Sequence, residues 1–567
     1  MTSDTSSVEV EWQFDAPDLE AVDRWLQTQP AHGALTFVPQ PERTQRDEYF
    51  DTADWRLHRA RFTLRVRAGP ASAEATMKAF GELEGGLRRR LEVNQALSAG
   101  AADLRDLEGA VSARLRLLIG ARPLRSLFVV QTRRRTILVQ SAGVTLATIA
   151  LDHATVEDHP ERPIRRVEVE ESLPGAMRDV ERFLDALRAA TGLQLATGSK
   201  FEAGLEAAGL TPDADLDLGP LRIPDDAPAA EFAFAILRRD FSSLLRYEPG
   251  ARLGEDIEQL HQMRVATRRL RAALSAFEPV LPPEFRQLRD ELRWLAASLG
   301  AVRDLDVHLE ALARIRRDSD WEDSNALAPL IDLVEESRRD ARVLLLATLD
   351  SPQYDALVER MTAALRSGDP PAPASAEGGI GARDFARRLL RDRYRRFRRD
   401  ADHLTPRSAP TEFHAVRIRG KRLRYSLDFT GQLVGRPAVR AERQLRRIQD
   451  LLGEHQDADL ARSWYHDLAR DGANRLPPDT LFLMGRLAEQ QGVRMTQLRR
   501  RWPAHLDALK DSWRRLRRAL EDEPTPSRHA SSAAARPRLA PLVPQRPRYR
   551  ALRLPRFPRR PAPPSEE

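Results

Sequence analysis

Two stretches of the 567-residue sequence repeat one pattern of basic residues at one spacing. The first reads His261-Gln-Met-Arg264-Val-Ala-Thr-Arg268-Arg269-Leu-Arg271, and 153 positions later the second reads His414-Ala-Val-Arg417-Ile-Arg-Gly-Lys421-Arg422-Leu-Arg424. Positions i, i+3, i+7 and i+10 lie on one face of an α-helix, so each copy aligns four donor side chains along ~15 Å of helix. Such a row repels itself unless an anion neutralises it. Guanidinium groups in particular bind phosphate or carboxylate through paired hydrogen bonds.

A second pair of motifs follows at the same offset of 153 residues. It consists of Leu299-Gly300-Ala-Val-Arg303-Asp304-Leu-Asp306 and Leu452-Gly453-Glu-His-Gln456-Asp457-Ala-Asp459. Two motifs at one offset indicate a duplicated helical unit, packed with pseudo-twofold symmetry.

Two kinds of anion could neutralise the basic rows. The four aspartates of the second motif pair could form internal ion pairs with them. Alternatively, a polyanionic ligand lies across the rows, which the scarcity of acids inside the motifs favours. A histidine-centred metal site is a third possibility, although no carboxylate lies at i±4 of either histidine to complete it.

The duplicated H-x-x-R-x-x-x-[RK]-R-L-R motif resembles the CHAD domain, a histidine-containing α-helical domain that binds inorganic polyphosphate. The resemblance covers residues 231–522 and implies two four-helix halves, 231–366 and 383–522, with a basic cleft between the motif helices. On this chain it implies that polyphosphate is held by His261, Arg264, Arg268, Arg269, Arg271, His414, Arg417, Lys421, Arg422 and Arg424.

Residues 8–205 are rich in strand-like sequence whose charged residues alternate with Val, Leu and Ile. Glu9 and Glu11 share one strand face, as do Arg65 and Arg67 on another strand. One interpretation is an ordinary sheet with a solvated charged face. The other is a closed antiparallel barrel with a charged lumen and an apolar outer face covered by helices. In such a lumen, carboxylates would hold a divalent metal and cations would hold phosphate oxygens.

The same region resembles the CYTH or triphosphate-tunnel family, whose enzymes hydrolyse triphosphate compounds with a divalent metal. The matching pieces are Glu9-x-Glu11, a Tyr49-Phe50-Asp51-Thr52 turn, Leu-Arg65-Val-Arg67, Lys78, Arg88 with Glu92, Arg135, Leu151-Asp152, Glu168-x-Glu170 and Ser199-Lys200.

The resemblance implies a tripolyphosphate-like substrate, Mg²⁺ or Mn²⁺ as cofactor, and a role for each matching residue. Catalytic roles would fall to Glu9, Glu11 and Lys78. The metal ligands would be Glu9, Glu11, Glu168, Glu170, Asp152 and Glu92. Phosphate in the tunnel would be held by Arg65, Arg67, Arg88, Arg135 and Lys200.

Two positions depart from the family pattern. The E-x-E-x-K opening ends here in Gln13, and Arg90 stands where the R-x-E-x-E pattern has a glutamate. A lost acid and a gained cation should weaken metal binding while phosphate binding is kept. The sequence therefore leaves open whether the tunnel hydrolyses a triphosphate or only binds it.

The sequence patterns and the two resemblances together predict an α+β multidomain protein. The domains are an N-terminal antiparallel β-barrel with flanking helices at 1–208, a linker at 209–230, the duplicated helical domain at 231–522 and a disordered Pro/Arg-rich tail at 523–567. The absence of cysteine excludes disulfides and thiolate metal sites. The longest apolar run is far shorter than the ~20 residues of a membrane span, and the first residues lack the features of a signal peptide. We therefore expect a cytoplasmic protein with no membrane partner.

Three functions from different classes follow from these features. The first is an inorganic polyphosphate-binding protein whose tunnel hydrolyses tripolyphosphate. The second is a non-catalytic binding protein located on polyphosphate granules. The third is weak, non-specific nucleic-acid binding, suggested by a sequence pI near 10.0. The motif helices carry few aromatic residues for base stacking, which disfavours this third function. The sequence does not fix an oligomeric state.

Overall fold

The chain divides into two compact units, Met1–Leu216 and Asp217–Glu567, and the division falls inside the linker predicted at 209–230. The computed structural model describes residues 5–28, 31–32, 35–69, 73–84, 87–97, 103–173, 175, 177–212, 217–222, 224, 227–366, 380–471 and 475–521. The tail predicted at 523–567 lies outside these residues, as do residues 367–379 between the two predicted halves of the helical domain.

The first unit is built on antiparallel strands. They are β1 (Thr5–Asp15), β2 (Ala31–His32), β3 (Leu35–Pro39), β4 (Arg43–Thr52), β5 (Phe62–Ala68), β6 (Ala73–Ala79), β7 (Glu82–Glu84), β8 (Leu87–Leu97), β9 (Leu124–Ser141), β10 (Val144–Val156), β11 (His159–Glu171) and β12 (Gln194–Leu195). Eight of them close on themselves in the order β1-β8-β6-β5-β4-β9-β10-β11 and back to β1. The closed barrel predicted from the alternating charges is therefore confirmed, and the open sheet is excluded.

Strand alternation separates the two faces of the barrel wall. On β11, Val167 and Val169 are buried in an apolar outer layer, while Glu168 and Glu170 line the lumen. The outer layer is covered by α1 (Leu19–Thr28) and α4 (Met177–Thr191). The other helices of this unit are α2 (Arg56–Arg59), α3 (Ala110–Ile119), α5 (Lys200–Ala207) and the 3₁₀ turn Leu104–Asp106.

Helix α5 closes the lumen at one end. Phe201 packs against Phe128 and Tyr49, with ring centroids 5.8 and 5.5 Å apart. Gly204 approaches Phe128 so closely that a side chain at this position would not fit. The helix starts with a capping box, in which the side chains of Ser199 and Glu202 each accept a hydrogen bond from the other residue's backbone amide. This cap fixes Lys200, the first helical residue, at the inner end of the lumen.

The second unit is helical in all its regular structure among the described residues. Its first half contains α6 (Ala229–Leu253), α7 (Ile257–Ala276), α8 (Phe285–Asp318), α9 (Trp321–Leu349) and α10 (Pro352–Arg366), with a 3₁₀ turn at Glu278–Val280. The second half contains α11 (Ala382–Ala401), α12 (Pro410–Val434), α13 (Arg436–Asp471) and α14 (Pro478–Glu521). Helices α6 and α11, and likewise α7 and α12, begin 153 residues apart. The first half carries α10 in addition to the four corresponding helices.

Hydrogen bonds between the halves show the pseudo-twofold relation directly. The Ala229 amide donates to the Ile380 carbonyl at 2.9 Å, and the Ala382 amide donates to the Ala227 carbonyl at 2.9 Å. Each donor, like each acceptor, lies 153 residues from its counterpart, so the two bonds exchange when the halves are exchanged. Equivalent helices also pack together, α6 on α11, α7 on α12 and α9 on α14.

One predicted feature of the barrel is wrong in detail. Tyr49–Thr52 is the end of strand β4 and not a turn. The turn comes afterwards, where the Asp51 carboxylate accepts hydrogen bonds from the backbone amides of Leu57 and His58, both at 2.9 Å. Among the described helices, none combines the length and hydropathy that crossing a bilayer requires.

Candidate functional site

The first wall of the lumen is formed by β1, β8 and β6, and its carboxylates are held by cations of the same chain. Lys78 donates to Glu9 at 2.7 Å and lies 3.1 Å from Glu92. Arg90 donates to the other Glu9 oxygen at 2.6 Å and also to Glu11. Burial and the neighbouring acids raise the pKa of Glu11 to about 7, although Arg90 opposes this.

The strands β9, β10 and β11, which adjoin β1 through β11, carry a second arrangement of the same kind. Arg134 donates to Asp152 at 2.7 and 2.6 Å and to Glu168 at 2.6 Å. Lys200 contacts Asp152 and lies 3.3 Å from Glu168. Burial alone would raise the pKa of Glu168, but Lys200 and Arg134 lower it well below its ordinary value. Glu168 is therefore ionised, and both acids are paired with cations of the chain itself.

A third group lies on β4 and β5. Arg67 binds Asp47 through two hydrogen bonds of 2.7 and 2.9 Å. Arg65 lies 3.7 Å from Asp47 and donates to Thr76 at 3.2 Å, while its Nε is buried without a hydrogen-bond partner. Arg65, Arg67, Lys78 and Lys200 border a polar cavity of about 180 Å³. The cavity is thus lined by cations together with carboxylates, among them Glu9, Glu92 and Glu168.

Two residues of the predicted tunnel site lie elsewhere. Arg135 is outside the lumen, bound to Glu20 at 2.6 Å and to Asp23 at 2.7 Å on α1. Arg134, one position earlier, takes the inward place, so the prediction of Arg135 is corrected. Arg88 is buried on the inward face of β8 but does not border the cavity.

The implied divalent metal does not fit this arrangement of donors. Mg²⁺ and Mn²⁺ require several free oxygens at short, nearly octahedral distances. Both Glu9 oxygens accept hydrogen bonds from cations, and Glu11 Oε1 accepts from Arg90 and from Gln13, the latter at 2.8 Å. Nowhere among the described residues do three or more acidic or histidine side chains converge as a metal would need.

Glu170 is the exception on these walls. Its carboxylate makes none of the ion pairs described above, and burial, followed by the charge of Glu9, raises its pKa. A single carboxylate does not provide the several oxygen ligands that a divalent metal needs.

The basic rows of the helical unit lie on α7 and α12, which pack together. The Tyr425 ring lies at their junction, 5.8 Å from the guanidinium carbon of Arg268 and 4.6 Å from that of Arg424. Since these arginines come from different halves, the ring joins the two rows into one surface. We call this surface, formed by the residues of both motifs around Tyr425, the basic seam.

The two motif histidines have different environments. His261 lies near Arg303, Arg268 and Arg264, and burial followed by these charges lowers its pKa to about 4. Its Nδ1 is buried without a hydrogen-bond partner, as is Arg268 Nε. His414 Nδ1 instead donates to the side-chain oxygen of Gln456 on α13.

Internal acids account for part of the basic seam only. Arg264 lies 3.7 Å from Asp304, whereas Asp306 is bound by Arg338 of α9 at 2.6 Å. Arg269, predicted to bind polyphosphate, binds Asp240 at 3.0 Å and also Asp428 of the other half. It therefore links the two halves, and its role in polyphosphate binding stays a prediction.

Comparison with known proteins identifies both units. A sequence model of the CYTH domain matches residues 23–205, and a model of the CHAD domain matches residues 235–466. The chain contains a CYTH domain followed by a CHAD domain. Two Mycobacterium tuberculosis proteins, Uncharacterized protein MT2285 and Uncharacterized protein Rv2226, are each 28% identical over 553 residues, covering 90% of this chain and 98% of theirs.

Solved structures resemble each domain separately. The CHAD domain from the plant Ricinus communis is 30% identical, with a TM-score of 0.43, over 52% of this chain and 95% of its own. HpAC1 from Hippeastrum, which has a dominant triphosphatase activity, is 17% identical, with a TM-score of 0.26, over 36% of this chain and 99% of its own.

Several residues of the CYTH and CHAD domains were missed from the sequence. Arg134 had a usable signal, because Ile137 and Val139 share the strand parity of Arg135 and mark it as outward-facing. Asp47 and Tyr425 had no such signal in the sequence, because the sequence pattern does not specify which elements pack against them.

Proposed function

We propose that this protein binds inorganic polyphosphate through the basic seam of its CHAD domain. The observation that carries the proposal is the junction at Tyr425, where Arg268 and Arg424 bring two rows of donors onto one surface. A polyanion with a charge on every unit can contact such a surface along its length. Arg268 Nε, which is buried without a hydrogen-bond partner, supplies a donor for it.

A paired substitution tests this function. Arg268→Ala with Arg424→Ala removes one guanidinium from each half, and each charge-assisted contact is worth ~1.5 kcal/mol, or about tenfold in affinity. We expect fluorescence anisotropy with labelled long-chain polyphosphate to show a loss of about 100-fold. The control is Arg293→Ala with Arg395→Ala, which removes the same charge from side chains that are 66% and 81% exposed. Equal losses in both variants would contradict the proposal.

Hydrolysis of tripolyphosphate is a second candidate, favoured by the closed barrel with Glu168 and Glu170 facing its lumen. Family enzymes depend on a divalent metal, and the donors here do not fit one. We therefore expect the full chain with Mg²⁺ or Mn²⁺ to release phosphate no faster than its Glu168→Gln variant. Faster release by the unmodified chain would restore the enzyme interpretation.

The proposal also implies a cellular location and a preference among polymers. A polyphosphate-binding surface would bring the protein to polyphosphate granules in cells that contain them. Nucleic acid is a weaker partner, since Tyr425 is buried between arginines and offers no ring for base stacking.

A further inference from the structure

Arg90 is placed by strand register directly between two acids of the lumen. Its Cα pairs with Glu9 across the β1–β8 ladder, and Glu11 lies one inward position further along β1. The guanidinium reaches both carboxylates, and the side chains of Glu9, Glu11 and Arg90 are 6%, 3% and 10% exposed. The group is therefore largely buried, and Glu9 and Arg90 also border the cavity.

Two buried carboxylates on one strand face require a cation between them. An unpaired buried charge is strongly unfavourable, so removal of one partner of a buried ion group destabilises the remainder. A divalent metal would supply this charge in a CYTH tunnel of the usual pattern. Here the side chain of Arg90 supplies it through covalently attached donors in a fixed plane.

Three other acids of the lumen are also paired with cations of the chain. Glu92 lies beside Lys78, and Glu168 and Asp152 share Arg134 and Lys200. Every acid named here is already matched by a cation of the chain. Arg65 and Arg67 border the cavity together with Glu74 and Glu170. These two further carboxylates belong to no group of three acids among the described residues that could hold a metal, whereas the two guanidinium groups suit an anion.

We propose that the Arg90 guanidinium occupies the divalent-cation position of this tunnel, so that the tunnel binds a triphosphate end without a metal. The inference rests on the proposed phosphate-binding function and extends it to the barrel. Arg65 is the leading ligand, because its Nε is buried beside the cavity without a partner. Lys78 and Lys200 can each shift from a carboxylate to a phosphate oxygen.

Metal binding by the full chain tests the role of Arg90. Mn²⁺ is titrated into the protein in phosphate-free buffer, and free Mn²⁺ is followed by electron paramagnetic resonance. We expect Arg90→Glu to gain one Mn²⁺ per chain, at least tenfold tighter than any site in the unmodified protein, and to lose it when Glu168→Gln is added. Arg89→Glu, the same change on the exposed outer face of β8, should gain none.

The unmodified chain decides the matter even if Arg90→Glu does not fold. Glu9→Gln and Glu168→Gln should leave its Mn²⁺ titration unchanged, because neither acid binds a metal. A Mn²⁺ ion that either substitution removes would overturn the inference. Arg90→Gln, which keeps the length but not the charge, should lower the melting temperature without creating a metal site.

Ligand binding provides the second test. In the full chain carrying Arg268→Ala and Arg424→Ala, calorimetry with tripolyphosphate should give the same affinity with EDTA as with Mg²⁺. Arg65→Ala should weaken that binding at least tenfold. Loss of binding in EDTA, or no binding at all, would overturn the inference. Failure of long-chain polyphosphate to bind the unmodified chain would instead overturn the proposed function and leave the tunnel result standing.

Discussion

His261 couples the basic seam to pH. Arg264 and Arg268 of α7 and Arg303 of α8 face it, and burial with these charges lowers its pKa to about 4, so the ring is neutral at pH 7. A depressed histidine pKa stabilises the fold above the ordinary value of 6.5, and this contribution is lost as the pH falls toward 4. A bound polyanion reverses the local charge and raises the pKa of His261, so binding takes up a proton.

We therefore predict that polyphosphate affinity increases as the pH falls from 8 to 5, by at most about tenfold per pH unit for one proton. Anisotropy titrations at constant ionic strength measure the slope, and His261→Gln should flatten it. An unchanged slope in His261→Gln would show that the proton binds elsewhere.

For single residues, the sequence predicted which types of side chain form the site better than it predicted which side chains point into the lumen. Arg135 was expected to hold phosphate in the tunnel, but the inward face of β9 belongs to Arg134. The direction of Arg135 is set by Ile137 and Val139, which share its strand face and pack in the apolar layer under the helices outside the barrel. Arg90 was identified from the family pattern alone, whereas its contact with both Glu9 and Glu11 required the register of β1 against β8.

The pairing of equivalent helices depends on an ion pair that is not itself duplicated. Arg269 of α7 binds Asp240 of α6 and Asp428 of α12, and the Asp240 side chain is 4% exposed. The equivalent of Arg269 in the second half is Arg422, which is exposed. The duplication visible in the sequence therefore predicted the equivalent helices but not this ion-pair contact between them.

Arg269→Ala should destabilise the CHAD domain because it leaves Asp240 buried without its main partner. Arg239, at 3.6 Å from Asp240, offsets part of the loss, so we expect ~3 kcal/mol from the usual range for a broken buried pair. Urea unfolding measures it, with Arg422→Ala as the matched control, expected to change the stability by less than ~0.5 kcal/mol. Adding Asp240→Asn to Arg269→Ala should recover part of the stability, and failure to do so would assign the loss to packing.

Among the helices and strands, those with a regular hydrophobic periodicity were predicted, whereas the polar strand β4 was not. The long amphipathic helices and the strands with Val, Leu and Ile at alternate positions were found from periodicity. Strand β4 was missed because Arg46, Asp47 and Glu48 place charge on both faces. Its outward charges pair across the surface, as Arg46 does with Glu157 at 2.9 Å, and only the closed barrel makes that pairing possible.

The whole molecule carries its positive charge unevenly. Residues 524–567 contain ten arginines, eleven prolines and two acids, and so hold a charge of about +8 against +7 for the entire chain. A basic segment of this kind binds any phosphate polymer by releasing counterions, which gives little selectivity. The basic seam differs in presenting donors at fixed positions from two halves of one fold.

We predict that the tail and the basic seam differ in the ligand that they bind and in the salt dependence of that binding. Deleting residues 524–567 should weaken binding of duplex DNA at least tenfold at low salt, because most of the non-specific charge is removed. The same deletion should change polyphosphate affinity less than threefold at 0.15 M salt, where a screening length near 8 Å favours fixed short-range contacts. Competition anisotropy at equal phosphate concentration measures both, with Arg268→Ala and Arg424→Ala as the reciprocal variant that loses polyphosphate and retains DNA. If DNA displaces polyphosphate from the truncated chain, the basic seam has no preference for polyphosphate and the chain is a general polyanion binder.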